Sequence, residues 1–76
     1  MMNFMAGKTV SVAVYFGEGT SFDTTDSIFA YAIRGNIKRR YDLNTKSYYG
    51  FDVYPSQIRH LLREADKNKV EVIIMD

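Results

Sequence analysis

Apolar residues along this chain follow two alternating rhythms, and their order divides it into strands and helices. From Lys8 to Phe16, Val10, Val12 and Val14 alternate with Ser11, Ala13 and Tyr15, the period of two expected of a strand with β-branched residues on one side. Gly17-Glu18-Gly19-Thr20-Ser21 breaks that strand. Asp23, Thr24, Thr25 and Asp26 then open a helix expected from about Thr25 to Arg34. Asp23 is placed as the acceptor for its first free amides, and Asp26 adds negative charge at the positive end of the helix dipole. Ile28, Phe29, Ala32 and Ile33 form the apolar stripe of this helix,.

Two continuations compete after Arg34. Gly35-Asn36 tolerates the left-handed conformation that closes a helix, yet Phe29, Ile33, Ile37 and Tyr41 keep a four-residue spacing that would carry a helix on to Tyr41. The stretch from Arg39 to Tyr49 favours stopping. It reads as two strands around Asp42-Leu43-Asn44-Thr45, with Asp at the first position of a type I turn and Asn able to turn left-handed after it. Tyr48 to Tyr54 is the third strand, and Pro55 suits a helix entry, with Ser56 as its cap. Ile58, Leu61, Leu62 and Ala65 give the second helix one apolar face opposite Arg59, His60, Arg63 and Glu64,. Asp66-Lys67-Asn68 ends it, and Val70, Val72 and Ile74 alternate with Glu71, Ile73 and Met75 as the last strand.

Strand, helix, strand, strand, helix, strand is the order of a ferredoxin-like βαββαβ domain. The expected architecture is α+β, a four-stranded antiparallel sheet with two helices on one face. The alternative is βαβαβ with a long first helix. The expected core is Val10, Val12, Val14, Ile28, Ala32, Ile33, Phe51, Val53, Ile58, Leu61, Leu62, Val70, Val72 and Ile74. The reverse face then carries Tyr15, Tyr48, Tyr54, Ile73 and Met75, a large apolar and aromatic area of the kind that marks a partner site. Placing Ile37 and Tyr41 towards the helices puts Lys38 and Arg40 on that reverse face too; a one-residue slip reverses the assignment. These seven residues are the candidate partner-binding set.

Length and composition limit what such a domain does. Seventy-six residues make one domain, residues 1–76, whose first seven are read as a frayed or edge-capping tail. A chain this short buries about 60% of its unfolded surface, so its stability is expected to be on the order of 5 kcal/mol. It has no cysteine, so no disulfide or thiolate metal site compensates, and self-association into a homodimer is the remaining device. A formal net charge of +1 lacks the imbalance of a strongly basic nucleic-acid binder. No apolar run approaches the roughly 18 residues of a membrane span, and no secretion signal is seen at the N-terminus. No membrane contact is expected, and a cytoplasmic location follows.

Candidate chemistry is sparse. Tyr49-Gly50-Phe51, with Tyr54 three residues on, resembles part of the RNA-recognition-motif signature, and that resemblance implies bases stacking on sheet aromatics with phosphates held by Lys38 and Arg40. It covers one strand. In that family the two aromatics face the open side, which here would bury Asp52, so Tyr49 and Phe51 are read as core residues. Gly17 to Ser21 lacks the lysine and full glycine pattern of a phosphate loop. Glu18, Asp23 and Asp26 supply too few oxygens for Ca2+. His60, with Glu64 one turn later, is the one candidate general base, and a solvent-facing helix residue is its plainer role. Lys38-Arg39-Arg40 either meets an acidic or phosphate surface or shields a strand edge.

The expectation is therefore a non-enzymatic protein-interaction module with no cofactor and no metal. Its size class is that of phage or mobile-element proteins that regulate or inhibit a larger host complex, such as a CRISPR or restriction nuclease. A protein partner ranks first, including a second copy. A single-stranded nucleic-acid binder using the tyrosine face is the alternative.

Overall fold

The computed structural model describes residues 8–43 and 46–75, with the backbone alone for 39–43. The expected tail, residues 1–7, lies outside the described residues. The elements are β1 (Val10–Tyr15), α1 (Phe22–Phe29), β2 (Lys38–Leu43), β3 (Lys46–Val53), α2 (Ile58–Lys67) and β4 (Glu71–Ile74).

The ferredoxin-like sheet expected from the element order is corrected here. Three antiparallel strands, β3, β1 and β4, with β1 in the centre, carry the core, and β2 follows β3 at the outside of the strand order. Val12 pairs with Phe51 on one side and Ile74 on the other, and Val14 with Tyr49 and Val72. β2 is an outer arm whose backbone runs antiparallel to β3 with a register shift between Arg39 and Tyr41. The hydrophobic core takes its sheet residues from β1 and β3, with Val70 at the entry to β4; among the described residues none comes from β2. The long-helix alternative is also overturned. α1 stops at Phe29, and Arg34 and Gly35 follow in left-handed conformation, at φ 57° and 63°. Two such residues in a row turn the chain away from any continuing helical path.

The ends of the helices differ from the pattern-based reading. Ser21, not Asp23, caps α1: its hydroxyl accepts the Thr24 amide at 3.1 Å, and its carbonyl accepts the Thr25 amide. Asp23 sits in the first turn, where its charge complements the dipole,. Ser56 does not cap α2. A short 3-10 turn, Pro55–Gln57, leads into the helix instead. α2 closes with paired bonds from Val70 N to Ala65 O (2.8 Å) and Lys69 N to Asp66 O (3.2 Å). Lys69 is left-handed at φ 57°. This is the double-bonded helix stop usually given to glycine, and it delivers Val70 directly over Ala65 and into the core.

Val12, Val14, Ile28, Phe51, Val53, Leu61, Ala65 and Val70 are buried together. Val10, Ala32, Ile58 and Val72 pack against them while partly buried. Three expected core residues are not in it, and the first, Ile33, falls in the short 3-10 turn Ile33–Gly35 after α1. Leu62 and Ile74 remain 40% and 42% exposed. Leu62 lies a further 100° round the helix from Leu61, at the boundary of the stripe, and Ile74 lies on the outermost strand. The aromatic rings supply what those two do not. Phe29 meets Phe16, Tyr49 and Phe51 edge-on at centroid distances of 5.2, 5.5 and 5.9 Å, a geometry that rings favour over face-to-face stacking.

Candidate functional site

Alternation along β1, β3 and β4 sends Val12, Val14, Phe51, Val53 and Val72 to the helices, and Tyr15, Tyr48, Asp52, Ile73 and Met75 to the reverse face,. Within the candidate set, Tyr15 and Tyr48 are brought together, with ring centroids 5.5 Å apart. Tyr54, Ile73 and Met75 lie elsewhere on the same face or its rim. Lys38 is exposed at a register position opposite Gly50, which also belongs to that face. The side chain of Arg40 lies outside the described residues. Tyr41, expected to face the helices, likewise has its side chain outside the described residues; its backbone lies at the register position opposite Tyr48.

The reverse face has a closed end and an open end. At the closed end Tyr48 is only 3% exposed. It starts on β3 and reaches past β1 to β4, where its hydroxyl donates to Glu71 Oε2 at 2.8 Å. Ala13 and Gly50, the small residues of this face beside it, are buried and leave room for the ring. Lys46 completes the cluster. Its Nζ lies 3.4 Å from Glu71 Oε1 and 5.1 Å from the centre of the Tyr15 ring. Glu71 and Lys46 were not singled out in the sequence, and no periodic signal marks them. Their link is a row across three strands that forms only once the sheet is assembled.

Burial of the Tyr48 ring, its hydrogen bond to Glu71, and the charges of Glu71 and Tyr15 all raise the phenol above its ordinary value of 10.0. The folded state therefore holds this proton more tightly than the unfolded chain. The resulting stabilisation is complete below pH 10 and is lost as pH rises through the folded-state value. A tyrosinate absorbance titration is expected to show Tyr48 ionising late, and Tyr48→Phe should remove that step. Loss of the bond to the Glu71 carboxylate should also lower the midpoint of denaturant unfolding. An unchanged titration curve in the variant would count against the cluster. A stacking surface for bases needs open ring faces, and Tyr48 does not present one. Tyr49 and Phe51, the pair behind the RNA-recognition-motif resemblance, face the helices and pack among Phe16 and Phe29.

The open end lies at the far side of the same face. Ser11 donates to Asp52 Oδ1 at 2.7 Å there, and the Met75 amide donates to the Ser11 carbonyl at 2.8 Å. Tyr54 and Met75 stand beside this pair, 47% and 40% exposed.

The helices leave one more apolar border. Glu64 Oε2 accepts from Ser27 Oγ at 2.7 Å and from Asn68 Nδ2 at 3.2 Å, and Thr24 Oγ1 donates to Asn68 Oδ1 at 3.4 Å. These bonds fix the Glu64–Asn68 flank of α2 against α1. Leu62 lies on the other flank, and α2 packs on β4, so Leu62 overhangs the outer side of that strand. Ile74 on β4, Met75 directly after it and Leu62 on α2 all remain exposed. His60 is exposed on α2, and Glu64, its expected orienting carboxylate, is engaged by Ser27 and Asn68.

The glycine loop is a turn with Gly17 and Gly19 left-handed at φ 78° and 79°. An open cleft of about 310 Å3 between this turn and α1, lined by Phe16, Thr20, Thr25, Phe29 and Tyr49 among others, contains no charged side chain. Among the described residues no three His, Cys, Asp or Glu side chains converge as metal ligands, and no helix is long and apolar enough to cross a membrane. The chain matches no protein-family model, no curated protein and no solved structure.

Proposed function

We propose that this chain is a protein-interaction module that docks through the apolar rim along β4. One observation carries the reading. Of the five large apolar side chains that stay well exposed among the described residues, Ile74 and Met75 lie on or directly after the outermost strand β4, and Leu62 lies on α2, the helix that packs on it. Contiguous exposed apolar area at an unpaired edge is what partner sites are made of. The closed end of the reverse face supports the same assignment, because it withdraws Tyr48 and leaves the rim as the larger apolar surface. A domain of this size acts by occupying a surface of something else, and regulation or inhibition of a larger assembly is the role that fits it.

The test is affinity capture by the immobilised chain from an extract of its native cells. A protein retained by the wild type and by Phe22→Lys, but lost with Ile74→Lys and with Leu62→Lys, supports the rim. Phe22 is the control because it is exposed on α1, away from β4. Retention of every captured protein by both rim variants would sink the reading.

A further inference from the structure

The two outer edges of the strand array are treated in opposite ways by this sequence. β2, at one extreme, carries Lys38-Arg39-Arg40 and an irregular register. Positive charge and a bulge are the usual devices that stop an edge from pairing with another chain. β4, at the other extreme, is Glu71-Val72-Ile73-Ile74 followed by Met75. It has no proline, no lysine and no bulge, and its register against β1 is unbroken. Among the described residues nothing pairs with its outer side. Such an edge is a ready template for one more strand.

We propose that a second copy of this chain fills it, through antiparallel pairing of the two β4 strands about a two-fold axis at Ile73. The inference rests on the rim reading above and names its occupant. The backbone is correctly phased for it. The Met75 amide points inward to Ser11, so by alternation the inward groups of β4 belong to Glu71, Ile73 and Met75, and the outward groups to Val72 and Ile74. A two-fold axis at Ile73 sets Val72 opposite Ile74 of the other copy, twice, and these are the residues whose outward groups are free to bond.

The side chains agree with this phase. On the helix side, Val72 faces Ile74 of the other copy. On the reverse side Ile73 meets its own counterpart and Glu71 faces Met75. No like charges oppose, and Glu71 is already neutralised by Lys46 and Tyr48 of its own chain. Parallel pairing would instead set Glu71 against Glu71. Because the axis is perpendicular to the sheet, both copies of α2 lie on the same side and flank it. The overhanging Leu62 of each then covers the new strand pair. An isolated foreign strand would satisfy the backbone but supply nothing above it for Leu62. The strand is short and the buried area small, so the association is expected on the order of micromolar.

The experiment combines sedimentation velocity over a wide concentration range with residue-resolved amide hydrogen exchange. The expected result is a mass rising towards twice the monomer with concentration. The amides of Val72 and Ile74 should gain protection in step with it, while Met75 is protected throughout. Ile74→Lys and, separately, Ile74→Pro should restore the monomer with circular dichroism unchanged; the proline removes an outward amide and leaves the bonds to β1 intact. Phe22→Lys should dimerise normally. A chain that stays monomeric at every concentration overturns the proposal. So does a dimer in which the Val72 and Ile74 amides exchange rapidly or which tolerates both Ile74 substitutions. In either case rim-dependent capture of a different protein would still uphold the interaction-module reading, so the two failures are separable.

Discussion

Leu61→Ala is expected to cost about 2–5 kcal/mol, close to the whole stability of a domain of this length. Leu61 is fully buried and stands between α2 and the central strand, among Val12, Val14, Val53 and Ile28. Truncation loses the transfer free energy of its methyl groups. It also leaves a cavity that a short helix resting on three strands can close only by moving. Leu62, its neighbour in sequence and identical in chemistry, is the internal control. It is exposed and lies off the core stripe, so Leu62→Ala should cost under about 1 kcal/mol in the monomer. Urea unfolding, carried out where the chain is monomeric, reads both. Leu61→Ala should shift the midpoint far to lower denaturant or leave no folded baseline. Equal costs at the two positions would mean that α2 is rotated from the orientation described here.

The contrast between those two leucines also shows how far the sequence could be read. The alternation of Val10, Val12 and Val14 names a strand and its buried side without help, because a period of two is a local property. The hairpin was favoured over a long helix for a local reason as well, and the left-handed pair Arg34 and Gly35 bears that out. What failed was non-local. Periodicity assigns Ile74 to the helix side correctly, but it does not reveal that β4 is outermost, and an outermost residue stays exposed on that side. Tyr48 was read as an exposed reverse-face tyrosine. It does lie on that face, yet it is buried there, with its hydroxyl donating a hydrogen bond to Glu71 on another strand. β2 was read as a regular sheet strand, but its register against β3 shifts between Arg39 and Tyr41. In each case the missing information was strand order and cross-strand neighbours, which a single chain's pattern does not carry. For the same reason the candidate partner set was only partly legible. Met75 was placed on the reverse face and is exposed, whereas Leu62 and Ile74 were assigned to the core and stay exposed as well.

Phe29→Ala is the second substitution expected to be severe, at about 2–4 kcal/mol. α1 has eight residues, too few to hold a helix in water by itself. What holds it is Ile28 in the core and Phe29 against three rings from β1's end and β3. Removing the Phe29 ring deletes three edge-to-face contacts at once, each worth about 0.5–1.5 kcal/mol beyond burial, and opens the cleft beside Thr20 and Thr25. Phe29→Leu keeps most of the volume but not the ring geometry, so it should recover more than half of the loss. A double-mutant cycle with Tyr49→Leu isolates the ring term, and a coupling of about 0.5–1.5 kcal/mol is expected. Hydrogen exchange locates the consequence. The α1 amides should lose protection far more than those of β4, since the Ser27–Glu64 bond is too weak alone to keep α1 docked,. If instead Phe29→Ala loosens β4 as much as α1, the rings are not what fastens this helix, and the cooperative unit would have to be the whole domain.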